Sequence, residues 1–383
     1  MGVMERTPAE VFPPGELIRD EIKARGLSQV ELAEILGRPP RLVSELIAGK
    51  RAITPETAKG LGEAFNTGAQ FWMNLESSYR LAQVKQDGSN SVLRRAKLYE
   101  MAPVKEMMRR HWIQQTDNID VLQKSVLDFL HITSLDDQPH LLSHAARKST
   151  SYTEHTPAEQ AWLIRARQLA AAVDVKPFSE MGFASALAQF KNMLRDPEDA
   201  RQVPRVLADA GVRFLVVETL PQARIDGACL WLDDKSPTIV VSLRFDRIDA
   251  FWYTLLHECA HVKHRDGLKD GGLLDIDLVG ESAEPVKEKP AIERRADKFA
   301  ANFSIQKAEL DNFISRVQPF FYKTKIQDLS ARLNVHQGIV VGQLQHRKTI
   351  PYSHSREMLV KVRHIVTEAA LTDGFGSILA NVI

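Results

Sequence analysis

The sequence predicts an α+β protein, mostly helical, in which a bundle of short helices precedes a small sheet, a long helix and further helices. Three observations carry that expectation. Apolar residues recur at helical spacing between caps and breakers over the first eighty positions. The period shortens to that of strands between Gly211 and Leu243. Directly afterwards the run FWYTLLHECAHVKHRD, Phe251 to Asp266, returns to helical spacing and holds a His-Glu-x-x-His pentad.

The pattern divides the 383 residues into four parts: a helix-turn-helix domain over 1–83, a helical linker region over 84–157, a sheet-and-pentad domain over 158–310, and a C-terminal helical subdomain over 311–383. Lys and Arg number 50 against 49 Asp and Glu, so there is no global basic field, and any contact with DNA has to come from a local patch. The first residues, MGVMERTPAEVFPPGE, lack the apolar core of a signal peptide, and no apolar run approaches a membrane span. Cys229 and Cys259 are too few for a disulfide scaffold and sit in apolar surroundings, as small buried hydrophobes do. A reduced, cytoplasmic protein is expected.

In the first part, Leu17, Ile18 and Ile22 form an apolar stripe ended by Gly26. Ser28 opens a second helix, with Glu31 completing a capping box and Gly37 stopping it. Pro39 and Pro40 open a third helix anchored by Val43, Leu46 and Ile47. Thr54 caps a fourth, with Pro55 in its first position. Two short helices joined by a tight glycine turn describe a helix-turn-helix, whose second helix enters the major groove. That places Arg38, Arg41, Ser44 and Glu45 against base edges, with Gln29, Lys50 and Arg51 on phosphates. From Gly37 to Arg51 there are four basic residues and one acidic, so positive charge is focused at the expected contact. A small helical bundle that docks a protein is the competing reading.

The stretch resembles the lambda-repressor-like (XRE) helix-turn-helix family. Its continuation NTGAQFWMNLESSYRLAQ is similar to the HigA-type antitoxin branch, in which ITPETA, FW and NLE occur together. The resemblance covers about Pro13 to Gln83 and implies binding of a double-stranded DNA operator as a homodimer, with a toxin as partner. Arg38-Pro39-Pro40-Arg41 departs from it by placing prolines where many relatives have polar residues.

Val84 to Arg147 reads as helical, with QDGSN (Gln86 to Asn90) as a linker and the basic pairs Arg94-Arg95 and Arg109-Arg110 on solvated helix faces. HAARKSTSYTEHTPAE, His144 to Glu159, reads as a polar loop. Strands are expected at Gly211–Glu218, Gly227–Asp233 and Thr238–Leu243, then a helix from about Asp246 or Asp249. A small sheet followed by a helix with this pentad is the layout of a zincin.

One helical turn separates His257 from His261, so both imidazoles face the same way and can share an ion. Glu258 lies beside them, placed to act as general base on an attacking water. A catalytic zinc takes three protein ligands and keeps one position open. The spacing His-x-x-Gly-x-x-His fails here, because His264 and Gly267 stand in those places. The candidate third ligand is Glu293 in AIERRADKFAANF, 32 residues beyond His261 (293 − 261). Asp297, one turn further, can hold a ligand histidine's outer N–H. The intervening KDGGLLDIDLVGESAEPVKEKP reads as an acidic loop that lines or covers the cleft, and His264 as a surface histidine.

These motifs, with the DKFAAN continuation, resemble the ImmA/IrrE family of metallopeptidases over about Ala161 to Ile305. The resemblance implies Zn2+ held by His257, His261 and Glu293, with Glu258 as catalytic acid and base. Ala260 stands where glycine is common, and Ser304-Ile305 where Leu-Met-Pro is usual. Tyr253, His264, Arg244 and Arg247 are candidate oxyanion donors without a motif to choose among them.

Ile326 to Lys348 echoes the N-terminal helix pair, Leu329, Leu333 and Val340 matching Leu32, Leu36 and Val43. Packing beneath the site is favoured over a second DNA reader. The last thirty residues read as one amphipathic helix plus an apolar end. Two functions remain: a DNA-binding regulator fused to a zinc endopeptidase that cleaves a repressor or partner protein, or a HigA-like antitoxin and autorepressor whose second part binds without cutting.

Overall fold

A computed structural model describes residues 12–83, 91–137, 147–148, 155–281, 283 and 289–374. The chain forms two compact units, Met1–Ser91 and Val92–Ile383. The linker expected at Gln86–Asn90 lies outside the described residues.

Among its described residues up to Gln83 the first unit holds five helices: α1 (Pro14–Ala24), α2 (Gln29–Ile35), α3 (Pro40–Ile47), α4 (Pro55–Phe65) and α5 (Ala69–Gln83). Local chemistry sets their ends. Ser28 Oγ accepts from the Glu31 amide at 3.2 Å while Glu31 returns a carboxylate oxygen to the Ser28 amide at 2.7 Å, closing the capping box. Gly37 turns the chain at φ +61°, a left-handed conformation that costs glycine nothing. Pro40 opens α3 and Thr54 caps α4, each as its residue type predicts. Ile18, Leu32, Val43, Leu46, Leu61, Phe65 and Trp72 bury the inner faces. Trp72 satisfies its indole N–H by donating to Thr67 Oγ1 at 2.8 Å.

The second unit is built on a six-stranded mixed sheet. In chain order its elements are α6 (Ser91–Met101), α7 (Val104–Arg109), α8 (Ile119–Leu130), β1 (Arg147–Lys148), α9 (Pro157–Ala171), α10 (Glu180–Met193), α11 (Val203–Asp209), β2 (Arg213–Val216), β3 (Ile225–Trp231), β4 (Pro237–Val241), α12 (Ile248–His264), β5 (Gly272–Ile276), α13 (Ala291–Ser304), α14 (Lys307–Val317), α15 (Lys323–Leu333), α16 (Gln337–His346), α17 (Arg363–Thr367) and β6 (Leu371–Thr372). The sheet order is β1-β5-β3-β4-β2-β6.

Alternate residues of the strands enter two different cores. Cys229, Trp231, Ile239 and Val241 pack with α10 to α12 and the C-terminal helices. Ala228, Leu230, Val240 and Leu274 pack with α6 to α9 through Leu98, Met107, Leu122 and Trp162. Both cysteines are free and buried, as expected. Among the described residues no helix is long and apolar enough to cross a membrane.

Five expectations are corrected. Residues 91–130 are not a linker, because their apolar faces complete the second core of the sheet. Arg110 is not solvated: it is buried and donates to the carbonyls of Glu218 at 2.7 Å and Thr219 at 2.8 Å. The acidic stretch after α12 is not all loop, since β5 pairs antiparallel with β3, and the polar stretch before α9 contains β1, parallel to β5. Among the described residues from Arg356 to Gly374 there are a single 3₁₀ turn, α17 and the two-residue β6 rather than one helix. Strands of two residues depend on a backbone partner, which no local period reports.

In the helix pair α15–α16, Ile326, Leu329, Val340 and Leu344 are buried in the core that holds α12.

Candidate metal centre and nucleic-acid interface

Helix α12 is buried along almost its whole length, and Phe251, Trp252, Leu255 and Leu256 fix its rotation against the sheet. That rotation points His257 and His261 at one place, with their Nε2 atoms 3.0 Å apart. Helix α13 supplies Glu293, whose Oε2 lies 3.1 Å from His257 Nε2 and 3.5 Å from His261 Nε2. Strand β5 supplies a residue that sequence reasoning missed. Asp275 brings Oδ1 to 3.6 Å from His257 Nε2 and Oδ2 to 3.9 Å from His261 Nε2. All four side chains are 0–1% exposed, and one ligand atom from each lies within 4.8 Å of every other.

These spacings fit an ion. Donors about 2.0–2.1 Å from a tetrahedral zinc stand roughly 3.3–3.4 Å from one another. His261 Nδ1 hydrogen-bonds Asp266 Oδ2 at 3.1 Å, and His257 Nδ1 lies 3.1 Å from Asp297 Oδ1. Each imidazole held in that way turns an Nε2 lone pair inward. Two lone pairs and two carboxylates converging in a dry interior repel unless a cation sits among them. Without metal a proton takes that role. Burial is the largest single effect and opposes charge on His257, but Asp275, Asp297 and Glu293 together outweigh it and raise its pKa well above the ordinary value.

The supporting carboxylates are themselves held. Asp297 accepts from Tyr253 Oη and Lys289 Nζ, each at 2.9 Å. Burial acts to raise its pKa, yet His257 and Lys289 hold it at about 2. Asp266 accepts from Arg295 at 2.7 Å. It follows α12 directly, brought back by the left-handed Arg265 and by its amide donating to the His261 carbonyl at 2.9 Å. Of the candidate oxyanion donors, Tyr253 is committed to Asp297 and Arg244 to Asp226, while Arg247 pairs with Asp249 and His264 is exposed.

Glu258 is fully buried beneath β3, where burial first and then the charge of Asp275 push its pKa well up. A bound cation reverses that logic and favours the carboxylate. Room for Glu258 comes from Gly227, where an added Cβ would sit 2.4 Å from Glu258 Oε1 and 2.9 Å from Thr254 Cγ2. Gly227→Ala is therefore expected to cost about 1–3 kcal/mol by overpacking, read as a lower denaturation midpoint with metal content retained.

In the first unit, of the residues expected at DNA, Gln29, Arg38, Arg41, Ser44, Lys50 and Arg51 are exposed and Glu45 is half-buried. The Glu45 carboxylate accepts from Arg41 Nε at 2.7 Å and from Arg51 at 3.2 Å. Arg41 lies on α3 and Arg51 beyond its end, while Val43 and Ile47 of the helix are buried.

Comparison with known proteins bears on this unit. The Helix-turn-helix family model matches residues 18–72. Virulence-associated protein I of Dichelobacter nodosus is 39% identical over 75 residues, which are 19% of this chain and 69% of that protein. The HTH-type transcriptional regulator YddM of Escherichia coli K12 is 33% identical over 82 residues, 21% of this chain and 87% of that protein. Among solved structures, the Pseudomonas aeruginosa antitoxin HigA with the higBA promoter is 34% identical, covering 22% of this chain and 91% of that chain with a TM-score of 0.21.

Proposed function

Because this chain belongs, through its first unit, to the helix-turn-helix family of DNA-binding transcriptional regulators, we propose that it couples operator binding to a zinc-dependent endopeptidase centre in its second unit. The convergence of His257, His261 and Glu293 on one point, with Glu258 adjacent in sequence to the first of them, supports the peptidase half. Zinc, when bound there, supplies Lewis-acid polarisation of the scissile carbonyl and of water. Glu258 takes the proton of the attacking water and passes it to the leaving amide nitrogen. Asp297 and Asp266 keep the two imidazoles oriented with Nε2 inward. The substrate class is a folded regulator or partner protein, and the operator is double-stranded DNA bound by a homodimer.

The DNA half has a direct test. Arg41 stands on the exposed face of α3 with its side chain 87% accessible, free of any structural role beyond its pair with Glu45. Arg41→Ala is expected to weaken binding to the chain's own promoter by about 1–3 kcal/mol, roughly five- to 150-fold in a gel shift. Unchanged affinity would move the interface elsewhere.

One observation favours a second reading, an antitoxin and autorepressor whose second unit holds metal and a cognate toxin without cutting. Asp275 brings a fourth donor to the cluster, whereas a catalytic zinc takes three protein ligands and keeps one position open. The two readings part on whether a co-expressed partner is cleaved or merely retained.

A further inference from the structure

We propose that Asp275 is a fourth protein ligand, so that the chain itself fills the position through which a substrate would reach the metal. The inference rests on the reading that the His257, His261 and Glu293 donors hold an ion. Asp275 is not a bystander to that set. Its two oxygens lie 3.6 and 3.9 Å from the two histidine Nε2 atoms, distances of the same order as those between the other donors. Its place is fixed by backbone rather than by side-chain choice: Asp275 pairs across the ladder with Gly227, so both residues face α12. Gly227 contributes no side chain, which leaves that face clear for Asp275 and for Glu258.

The surroundings agree with closure. Each donor is 0–1% exposed. The adjoining cavity is lined by Tyr253, Ser304, Gln343 and His346 among others, and by none of the four donors. Strand β5 thus acts as a plug carried by the sheet. A ligand from solvent gains the ion only when Asp275 withdraws, which requires β5 to shift against β3.

Cobalt(II) bound to the metal-free full-length protein reports coordination number through its visible spectrum, with no turnover needed. The wild type is expected to give intense four-coordinate bands that millimolar acetohydroxamate leaves unchanged. Asp275→Ala, with Asp275→Asn as the shape-conserving variant, is expected to show bands that shift on adding acetohydroxamate. Each variant should also lose cobalt to a chelator at least about tenfold faster. Wild-type bands that shift with acetohydroxamate overturn the proposal while leaving the metal site intact, and that measurement needs no variant to fold. Release from both variants at the wild-type rate overturns it too. If the wild type takes up no cobalt, the metal reading fails and this inference fails with it.

Discussion

Metal-stripped protein is expected to melt on the order of 8 °C below the zinc-loaded protein, when free zinc exceeds its dissociation constant about a thousandfold. The reasoning starts from the donors. Two carboxylates and two imidazole nitrogens are fixed within 4.8 Å by three different elements, α12, β5 and α13. An ion that binds only when those elements are assembled stabilises the assembled state by about 4 kcal/mol at that excess. The gain belongs to the unit spanning Val92–Ile383, so a transition of the first unit should not move. The gap also depends on pH with a definite sign. The pKa of His257 is raised in the folded, metal-free chain, so its proton stabilises that state at low pH and is lost as pH rises through the raised value. Zinc must displace this proton, so its advantage narrows in acid and widens in alkali. Calorimetry across pH reads both effects. Coincident melts with and without zinc would remove the metal site.

The parts of this fold that local chemistry determines were legible, and those that a distant partner determines were not. Ser28 with Glu31, Gly37, Pro40 and Thr54 each act on their own backbone within a few residues, so the first four helices could be read from spacing alone. His257, His261 and Glu293 were found because helical spacing aligns them whatever surrounds the helix. Asp275 escaped because it sits in an acidic stretch where loop composition masks a five-residue strand. Its alternation, Leu273 and Asp275 against Leu274 and Ile276, was the one available signal. Asp266 escaped for another reason. It meets His261 only because Arg265 adopts a left-handed conformation and ends α12, which composition does not foretell. Residues 91–130 looked like a linker because their polar faces were read without the sheet that covers the apolar ones.

The remaining prediction separates cutting from holding. Glu258→Gln is expected to lower cleavage of a co-expressed partner protein by about 10²- to 10⁴-fold, the usual contribution of a general base. The substitution preserves shape in a site with no spare volume, since Gly227 already leaves just enough room for the side chain. It also removes a carboxyl that burial and Asp275 both disfavour in the charged state, so the folded protein should lose no stability. Zinc stoichiometry should stay unchanged, because Glu258 is not among the converging donors. Operator affinity should stay unchanged as well, because Arg41 and its neighbours belong to the other compact unit. An amide cannot accept the proton of the attacking water, so lost cleavage with retained metal and DNA binding isolates the chemical step. Cleavage at the wild-type rate would sink the mechanism. Absence of cleavage in the wild type itself, with zinc bound and the partner retained, would instead favour the antitoxin reading, in which a centre closed by Asp275 serves to hold the second unit together.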